Sequence, residues 1–264
     1  MPETLNSDRF AKLKTGKAFI PFTMLGWPNR QDCLKTIKTM IESGATALEL
    51  GMAFSDPIAD GPLIQQAAIE TIASGFSVQD AFDLIAEIRT FNSSIPIGLL
   101  VYYNMVLKFG PENFYLQAKA AGVDGILIVD LPAEESNEVT QLAKVHALAQ
   151  IFIVSPLTSQ KRLEAILKQA GGFLYVVSRL GVTGVHEDFD TKLKELISSV
   201  KKSTDLPLLI GFGISTPEHA RQMLSLGADG VITGSRVIYL VRNGSEGALK
   251  EFLSSMVKAS LNGA

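Results

Sequence analysis

Apolar positions along this chain fall into short runs of β-branched and aliphatic residues, separated by longer segments with helical periodicity. This alternation is typical of βα units and predicts a parallel sheet. The runs are too uniformly apolar for strands that expose one face to water. We count eight of them: AFIPFT from Ala18, TALELG from Thr46, PIGLLVY from Pro96, DGILIVD from Asp124, AQIFIVS from Ala149, GFLYVVS from Gly172, LPLLIGFG from Leu206 and DGVITGS from Asp229.

The segments between these runs carry signals for the start and end of helices. Leu34, Ile37 and Ile41 share one helical face and precede Gly44, which suits a left-handed helix stop. The triplet TPE from Thr216 combines a capping hydroxyl, a proline in the first turn and an acid near the positive end of the helix dipole. Three strands are entered through similar turns, SGATALELG, AGVDGILIVD and LGADGVITGS, which form a weak internal repeat.

No linker-like, low-complexity or charge-block segment divides the 264 residues, of which 47% are hydrophobic. Eight strands in one α/β domain of this size favour a closed barrel. The sequence therefore predicts a single (β/α)₈ TIM barrel over residues 1–264, with an extra N-terminal helix. A doubly wound open sheet is the alternative fold.

Charge and composition narrow the possible partners. The formal net charge of -3 gives no basic surface of the kind that binds a nucleic-acid backbone. The longest apolar stretches fall far short of the ~20 residues that cross a bilayer, and the N-terminal segment has no apolar core. We therefore expect a cytoplasmic protein that binds neither nucleic acid nor membrane. Its one cysteine, Cys33, is expected to be a small buried side chain of a helix.

In a barrel, the residues that carry chemistry lie at the carboxyl ends of the strands and in the loops after them. Glu49 lies inside TALELG, where an ionised carboxylate is costly unless it faces a polar site or holds a proton. A solvated acid at the strand end is the alternative. Asp60 follows in FSDPIADGP, a loop that can fold back over the strand end. By themselves, Asp60 before Gly61 and Asp56 before Pro57 are more typical of turns than of catalysts.

Glycines follow three of the apolar runs near the end of the chain, in SRLGVTG from Ser178, GFGIST from Gly211 and ITGSR from Ile232. Backbone amides exposed by glycine, with a helix N-terminus after Ser235, can bind a phosphate dianion. Barrels commonly bind a substrate phosphate at this position. Ordinary tight βα turns are the alternative interpretation, and any one of the three segments alone is weak evidence for a site.

At these residues the sequence resembles the tryptophan synthase α chains. The stretch ALELGMAFSDPIADGPLIQQA is similar to the long and specific signature of that family. Agreement continues, in the right order and over nearly the whole chain, through FIPFTMLGWP, IGLLVYYN, GVDGILIVDLP, FIVSPLTS, YVVSRLGVTG, IGFGIST and ITGSRVI. The resemblance implies a TIM-barrel lyase that cleaves indole-3-glycerol phosphate to indole and glyceraldehyde 3-phosphate.

The resemblance also implies roles for individual residues. Glu49 matches the acid/base carboxylate that moves a proton between the side-chain hydroxyl of the substrate and carbon 3 of the indole, work that a partly apolar site favours by raising the pKa. Asp60 matches the carboxylate that accepts the indole N–H, where a fixed anion stabilises the transition state. Tyr175 matches a residue that lines the same pocket and assists orientation.

Further positions match the binding pocket and its lid. The apolar walls that hold the flat ring correspond to Phe22, Leu100, Leu127 and Ile153. The phosphate-binding positions correspond to Gly184, Phe212, Gly213, Gly234 and Ser235. Arg179 and Thr183 match a lid that closes over bound substrate, and Thr183 would then hydrogen-bond near Asp60.

A cleavage of this kind needs an electron sink, which a Schiff base or a metal ion could supply. No lysine occurs in the eight apolar runs. His146 and His219 lie on predicted helices and His186 in a predicted loop, and no two share a metal-ligand spacing. We therefore expect no metal site, and an indole ring that accepts a proton at carbon 3 would be its own sink.

The family resemblance implies a partner, the pyridoxal-phosphate-dependent β subunit, which receives the indole for L-tryptophan synthesis in an α₂β₂ assembly. The cofactor would belong to that subunit, so we expect none here. The implied docking residues are Ala53, Asp56, Pro57, Asn104, Asp130 and Pro132. Ala53 and Met105 stand where proline is common in the family. The absence of proline would raise the entropy cost of ordering these loops. Trp27, where the family varies, is expected to be a packing residue.

Three interpretations remain at this point. The first is the α-chain lyase, which also serves as half of an allosteric complex. The second is another phosphate-binding barrel, such as an isomerase of an amino-acid pathway, which would need a different acid/base pair. The third is a barrel without catalytic activity that only activates a β partner, and the presence of Glu49, Asp60 and Tyr175 argues against it.

Overall fold

The computed structural model describes residues 9–15, 17–177 and 186–262. In these residues, eight parallel strands form a closed barrel in chain order, and the last strand pairs with the first. The predicted TIM barrel is confirmed. Strand ends lie up to two residues inside the apolar runs, except that β1 extends one residue beyond its run. The strands are β1 (Ala18–Met24), β2 (Leu48–Gly51), β3 (Ile97–Val101), β4 (Gly125–Ile128), β5 (Ala149–Val154), β6 (Leu174–Val177), β7 (Leu208–Gly211) and β8 (Gly230–Thr233).

Helices surround the barrel, and a short 3₁₀ helix (Arg9–Thr15) precedes it as the predicted N-terminal helix. The described α-helices are α1 (Arg30–Glu42), α2 (Pro62–Ala73), α3 (Val78–Phe91), α4 (Tyr103–Phe109), α5 (Pro111–Ala121), α6 (Asn137–Val145), α7 (Gln160–Leu167), α8 (His186–Lys201), α9 (Pro217–Ser225), α10 (Ser235–Asn243) and α11 (Glu246–Asn262). None of the helices in the part of the chain that the structure describes has the length and apolarity of a membrane span.

Alternate residues of each strand face opposite sides of the barrel wall, which explains why the runs are apolar throughout. In β1, Phe19 packs towards the helices while Ile20 packs into the barrel interior. We call the side chains that fill the interior the inner core. They include Phe22, Leu100, Leu127, Ile151, Tyr175 and Ile232, together with Phe10 and Leu13 of the 3₁₀ helix.

Two of the helix predictions are confirmed by local geometry. Helix α1 ends before Gly44, whose φ of 94° is left-handed. The Thr216 side chain caps α9 by accepting a hydrogen bond from the backbone N–H of His219. Cys33 is fully buried, as expected.

The prediction for one histidine was wrong. His186 is the first residue of α8 and not a loop residue. His219 lies on α9 as predicted, whereas His146 directly follows α6 as its C-cap.

A buried ionic cluster lies at the amino-terminal end of the barrel. The carboxylate of Asp124 accepts hydrogen bonds from Arg9 at 2.6 Å and from Arg89 at 2.8 Å, and its side chain is completely buried. The same carboxylate accepts the backbone N–H of Ile97 at the start of β3. The cluster fixes the 3₁₀ helix and α3 to the strand ends opposite the predicted chemistry.

Candidate active site

Glu49 is an acid inside the barrel. Its neighbours Leu48 and Leu50 pack towards the helices, so Glu49 points inward, where it is 4% exposed. It pairs in register with Phe22 on one side and Gly98 on the other. Burial, and after it the nearby Asp60 carboxylate, raise the pKa of Glu49 from its ordinary value of 4.5 to about 8. A carboxyl of this kind can both give and take a proton near neutral pH.

Asp60 lies in the loop between β2 and α2, one residue before the N-cap of α2. Its Oδ2 accepts a hydrogen bond of 2.9 Å from the hydroxyl of Tyr102, and that hydroxyl accepts the backbone N–H of Ala59 at 3.1 Å. The side-chain amide of Gln65 donates to the backbone oxygen of Asp60 at 2.8 Å. Burial raises the pKa of Asp60, and the Tyr102 hydrogen bond partly offsets this effect.

Tyr175 brings the third polar group into the same space. It is 4% exposed and belongs to the inner core at the end of the barrel that carries the two acids. Its pKa is raised well above the ordinary value, first by burial and then by the charges of Glu49 and Asp60. The charges of both acids therefore act on Tyr175, and that of Asp60 acts on Glu49, which brings the three predicted catalytic residues into one region of the barrel.

Apolar surface lies beside these groups. The predicted ring-binding residues Phe22, Leu100 and Leu127 are buried members of the inner core, and Ile153 is half-buried against it. An ideal Cβ on Gly234 would lie 3.2 Å from the ring of Phe22. The wall formed by Phe22 thus reaches from Glu49, its partner in the strand register, to the glycine turn after β8.

The turns after β7 and β8 present backbone suited to an anion. Phe212 and Gly213 both have left-handed conformations, with φ of 64° and 79°. Such a conformation is uncommon for phenylalanine and is typical of a functional turn. Gly234 is the N-cap of α10 and provides no capping side chain, and Ser235 is exposed beside it. The first amides of α10 therefore remain available to a phosphate. Gly184, Arg179 and Thr183 lie outside the described residues.

The predicted docking residues lie around the same end of the barrel but differ in exposure. Asp56, Asn104 and Asp130 are exposed, and Ala53 and Pro132 are half-buried. Pro57 is buried, so in the isolated chain it can shape its loop but presents little surface.

Tyr102 was missed by the sequence reasoning. It is the N-cap of α4, directly after β3, and its ring stacks on Phe54 with centroids 4.9 Å apart. Its position at the carboxyl end of a strand, the criterion that singled out Glu49, was an available signal. The hydrogen bond from Tyr102 to Asp60 could not be predicted, because the two residues are far apart in the sequence.

Two carboxyl groups and a tyrosine beside an apolar wall define a (β/α)₈-barrel enzyme equipped for acid–base chemistry. The model of the family "Tryptophan synthase alpha chain" matches residues 10–261. The chain belongs to the tryptophan synthase alpha chain family.

Individual relatives agree with this family over most of their length. The tryptophan synthase alpha chain of Methanothermobacter thermautotrophicus is 45% identical over 226 residues, which cover 86% of this chain and 83% of the relative. That of Methanoregula boonei is 43% identical over 257 residues, which cover 95% and 96%. The crystal structure of tryptophan synthase subunit alpha from Legionella pneumophila superposes with a TM-score of 0.87 at 34% identity, covering 98% of this chain and 99% of that one.

Proposed function

We propose that Glu49 and Asp60 are the acid/base pair of this lyase, which cleaves indole-3-glycerol phosphate to indole and glyceraldehyde 3-phosphate. The reaction follows from the family, and the assignment of residues is our proposal. One observation carries it: Glu49, Asp60 and Tyr175 share one electrostatic environment at the mouth of the barrel, beside an apolar wall. Paired acids with different surroundings suit different proton-transfer roles.

Glu49 transfers the proton to carbon 3 of the indole. Protonation of the indole at carbon 3 turns the ring into an electron sink. Loss of the proton from the adjacent side-chain hydroxyl then forms the aldehyde, the carbon–carbon bond breaks, and its electrons return to the ring as indole. One carboxyl can give the first proton and accept the second if its pKa lies near working pH, and burial raises that of Glu49 to about 8.

Asp60 stabilises the ring nitrogen. As carbon 3 takes up a proton, the indole N–H becomes more acidic, and a fixed carboxylate beside it accepts the stronger hydrogen bond. The Tyr102 hydroxyl, held by the Ala59 N–H, orients Oδ2 of Asp60. Tyr175 packs against Gly211 and Phe212 at the end of β7 and assists the orientation of the substrate.

The apolar and backbone groups bind the two ends of the substrate. Phe22, Leu100, Leu127 and Ile153 offer a surface for the flat ring and take no part in the chemistry. The turn at Phe212 and Gly213, with Gly234 and Ser235 at the start of α10, offers amides to the phosphate. Gly184, Arg179 and Thr183 retain their proposed roles in phosphate binding and closure.

We further propose that the chain docks onto the tryptophan synthase β subunit in an α₂β₂ assembly, and that the pyridoxal phosphate belongs to that subunit. The family name denotes one chain of a larger enzyme. The proposed docking residues surround the end of the barrel from which indole would pass. They are Ala53, Asp56, Pro57, Asn104, Asp130 and Pro132. A cavity of about 540 Å³ lies between the loop after β2 and helices α3 and α4, lined by Ala53, Asn104 and Met105 among others. Ala53 leaves its loop less restrained than proline would. Met105, expected in a loop, is instead a buried residue of α4.

We also propose that residues 1–264 act as one domain in the cytoplasm. The continuous barrel of the described residues supports a single domain.

Indole release from indole-3-glycerol phosphate by the purified chain tests the proposal. Glu49→Gln should lower the rate at least about a thousandfold, since the essential proton carrier is lost. The matched control is Glu87→Gln, which removes an exposed acid from the surface pair with Arg30 and should leave the rate unchanged. A correctly folded Glu49→Gln variant with the wild-type rate would refute the assignment. Titration with a matching β subunit should raise the rate of indole formation if docking orders the loops.

A further inference from the structure

A cluster of polar side chains joins three segments on the outside of the barrel. Glu70 of α2 accepts two hydrogen bonds from Arg242 of α10, each 2.9 Å long, in a two-pronged pair. It also accepts the indole N–H of Trp27, from the loop after β1, at 2.7 Å. The guanidinium of Arg242 lies 5.2 Å from the centre of the Trp27 ring. Gln66 donates a further hydrogen bond to Glu70.

This cluster has more stabilising contacts than an ordinary surface ion pair. The side chains of Glu70 and Arg242 are 36% and 29% exposed, and Trp27 is buried. The hydrogen bonds from Arg242 and then from Trp27 lower the pKa of Glu70 to about 2, so the carboxylate stays charged at neutral pH. Exposed single ion pairs contribute little, but two-pronged arginine pairs within a network hold a defined geometry.

The two helices that the cluster joins begin at the two ends of the proposed substrate site. Helix α2 begins directly after Asp60 and Gly61, and α10 begins with Ser235 directly after Gly234. The starts of the two helices also lie close together. An ideal Cβ on Gly61 would lie 3.8 Å from Oγ of Ser235, and one on Gly234 would lie 3.4 Å from Cδ1 of Ile64.

Helices α2 and α10 are therefore held together at both ends. Small residues bring their first turns close, and the Glu70–Arg242 pair joins their last turns. Between the two ends, Ala67 and Ala68 of α2 and Ile238 of α10 are fully buried in one apolar cluster with Trp27. A rotation of α2 against α10 would change the separation between Asp60 and the amides at the start of α10.

We propose that Glu70, Arg242 and Trp27 are positioning residues that set the distance between the ring-binding and phosphate-binding halves of the active site. The inference rests on the proposed function, in which one substrate spans Asp60 and the start of α10. None of the three residues needs to touch that substrate. Their effect appears when both halves must be bound at once, because only then does the separation between the two helices matter.

The test compares a ligand that spans the site with ligands that occupy one half. Indole-3-propanol phosphate, which lacks both side-chain hydroxyls of the substrate, reports the whole site. Indole and glycerol 3-phosphate report the halves, and binding of all three is measured by calorimetry. In Glu70→Gln the dissociation constant of the spanning ligand should rise about fivefold, while those of the halves change less than about twofold. Trp27→Phe, which removes the N–H donor and keeps an aromatic ring, should give a smaller change in the same direction.

The matched control is again Glu87→Gln, whose pair with Arg30 joins α1 to α3 away from the site. If Glu70 had a purely structural role, Glu70→Gln and Glu87→Gln would both lower the melting temperature, and neither would weaken binding of the spanning ligand selectively. Equal affinities for that ligand in Glu70→Gln and Glu87→Gln, or parallel losses for the whole and the halves, would overturn the inference. Turnover is measured separately, so an inactive wild type that binds the spanning ligand would count against the proposed function alone.

Discussion

The hydroxyl of Tyr102 donates a hydrogen bond of 2.9 Å to Oδ2 of Asp60 and accepts one of 3.1 Å from the backbone N–H of Ala59. One side chain at the end of β3 therefore fixes both the backbone and the carboxylate of the loop after β2. The stacking of Tyr102 on Phe54 restrains the ring itself. The orientation of Asp60 thus depends on a neighbouring strand as well as on its own loop.

Removal of this hydroxyl should alter the pH dependence of the lyase. The hydrogen bond lowers the pKa of Asp60, so Tyr102→Phe should raise that pKa further. If Asp60 acts as an anion, activity should be lost at a higher pH as the solution is acidified, and the maximum kcat/KM should fall about tenfold. Profiles of kcat/KM against pH for the two proteins measure both effects.

Tyr115→Phe is the matched control for Tyr102→Phe. The Tyr115 hydroxyl is buried and donates to Gln150 at 2.6 Å, away from Asp60. Its removal should lower stability and leave the acidic limb of the pH profile in place. An unshifted limb in Tyr102→Phe as well would show that the hydroxyl does not tune Asp60.

Glu49 should make the folded state less stable as the pH rises. Its pKa is about 8 in the folded protein and near 4.5 when exposed, so between these values the folded state binds more protons than the unfolded state. The free energy of unfolding should therefore fall from pH 5 to pH 9, and Glu49→Gln should flatten this slope. At pH 9 the variant should be more stable than the wild type by about 1 to 3 kcal/mol. Urea unfolding at pH 5, 7 and 9 measures the difference, and a wild-type slope in the variant would assign the titration to another group.

Gly211 and Tyr175 compete for the same space. An ideal Cβ on Gly211 would overlap the hydroxyl and ring carbons of Tyr175. Gly211→Ala should displace that ring, lower stability by about 1 to 3 kcal/mol and reduce lyase activity. In the double variant Gly211→Ala, Tyr175→Ala the displaced ring is gone, so the two losses of stability should not add. Additive losses in denaturant unfolding would indicate that the two residues do not interact.

Asp124 should be essential for stability but not for chemistry. Asp124→Asn leaves the cations of Arg9 and Arg89 without their buried carboxylate, a change that costs about 3 to 5 kcal/mol. Indole release well below the melting temperature should stay near the wild-type rate, since the cluster lies at the opposite end of the barrel from Glu49. A stability change as small as that of the surface control Glu87→Gln would contradict this expectation.

The fold was predictable because apolar runs report strands directly. The β1 run AFIPFT matched its strand except for one added residue, Met24. The run LPLLIGFG lost two residues at each end, those at the carboxyl end because the chain turns at Phe212. A turn in GFGIST was expected, but its left-handed start at Phe212 was not, since phenylalanine is uncommon in that conformation.

The site was only partly predictable. Glu49 stood out because an acid inside an apolar strand is costly to bury. The contacts of Tyr102 and Glu70 could not be predicted, because Arg242 lies 172 residues beyond Glu70 and only the closed barrel brings the two together. Trp27 was expected to pack, and it is buried, but its N–H donation to Glu70 also depends on the closed barrel.

The 3₁₀ helix before β1 determines which end of the barrel is open to small molecules. Phe10 and Leu13 are buried in the inner core at the amino-terminal end of the barrel, and the Phe10 ring meets that of Phe173 edge-on. Across the described residues, this plug closes one mouth of the barrel. The proposed site then opens towards the opposite end of the barrel, where Asp56 and Asn104 are exposed. A partner bound over that end would control both the entry of substrate and the release of indole.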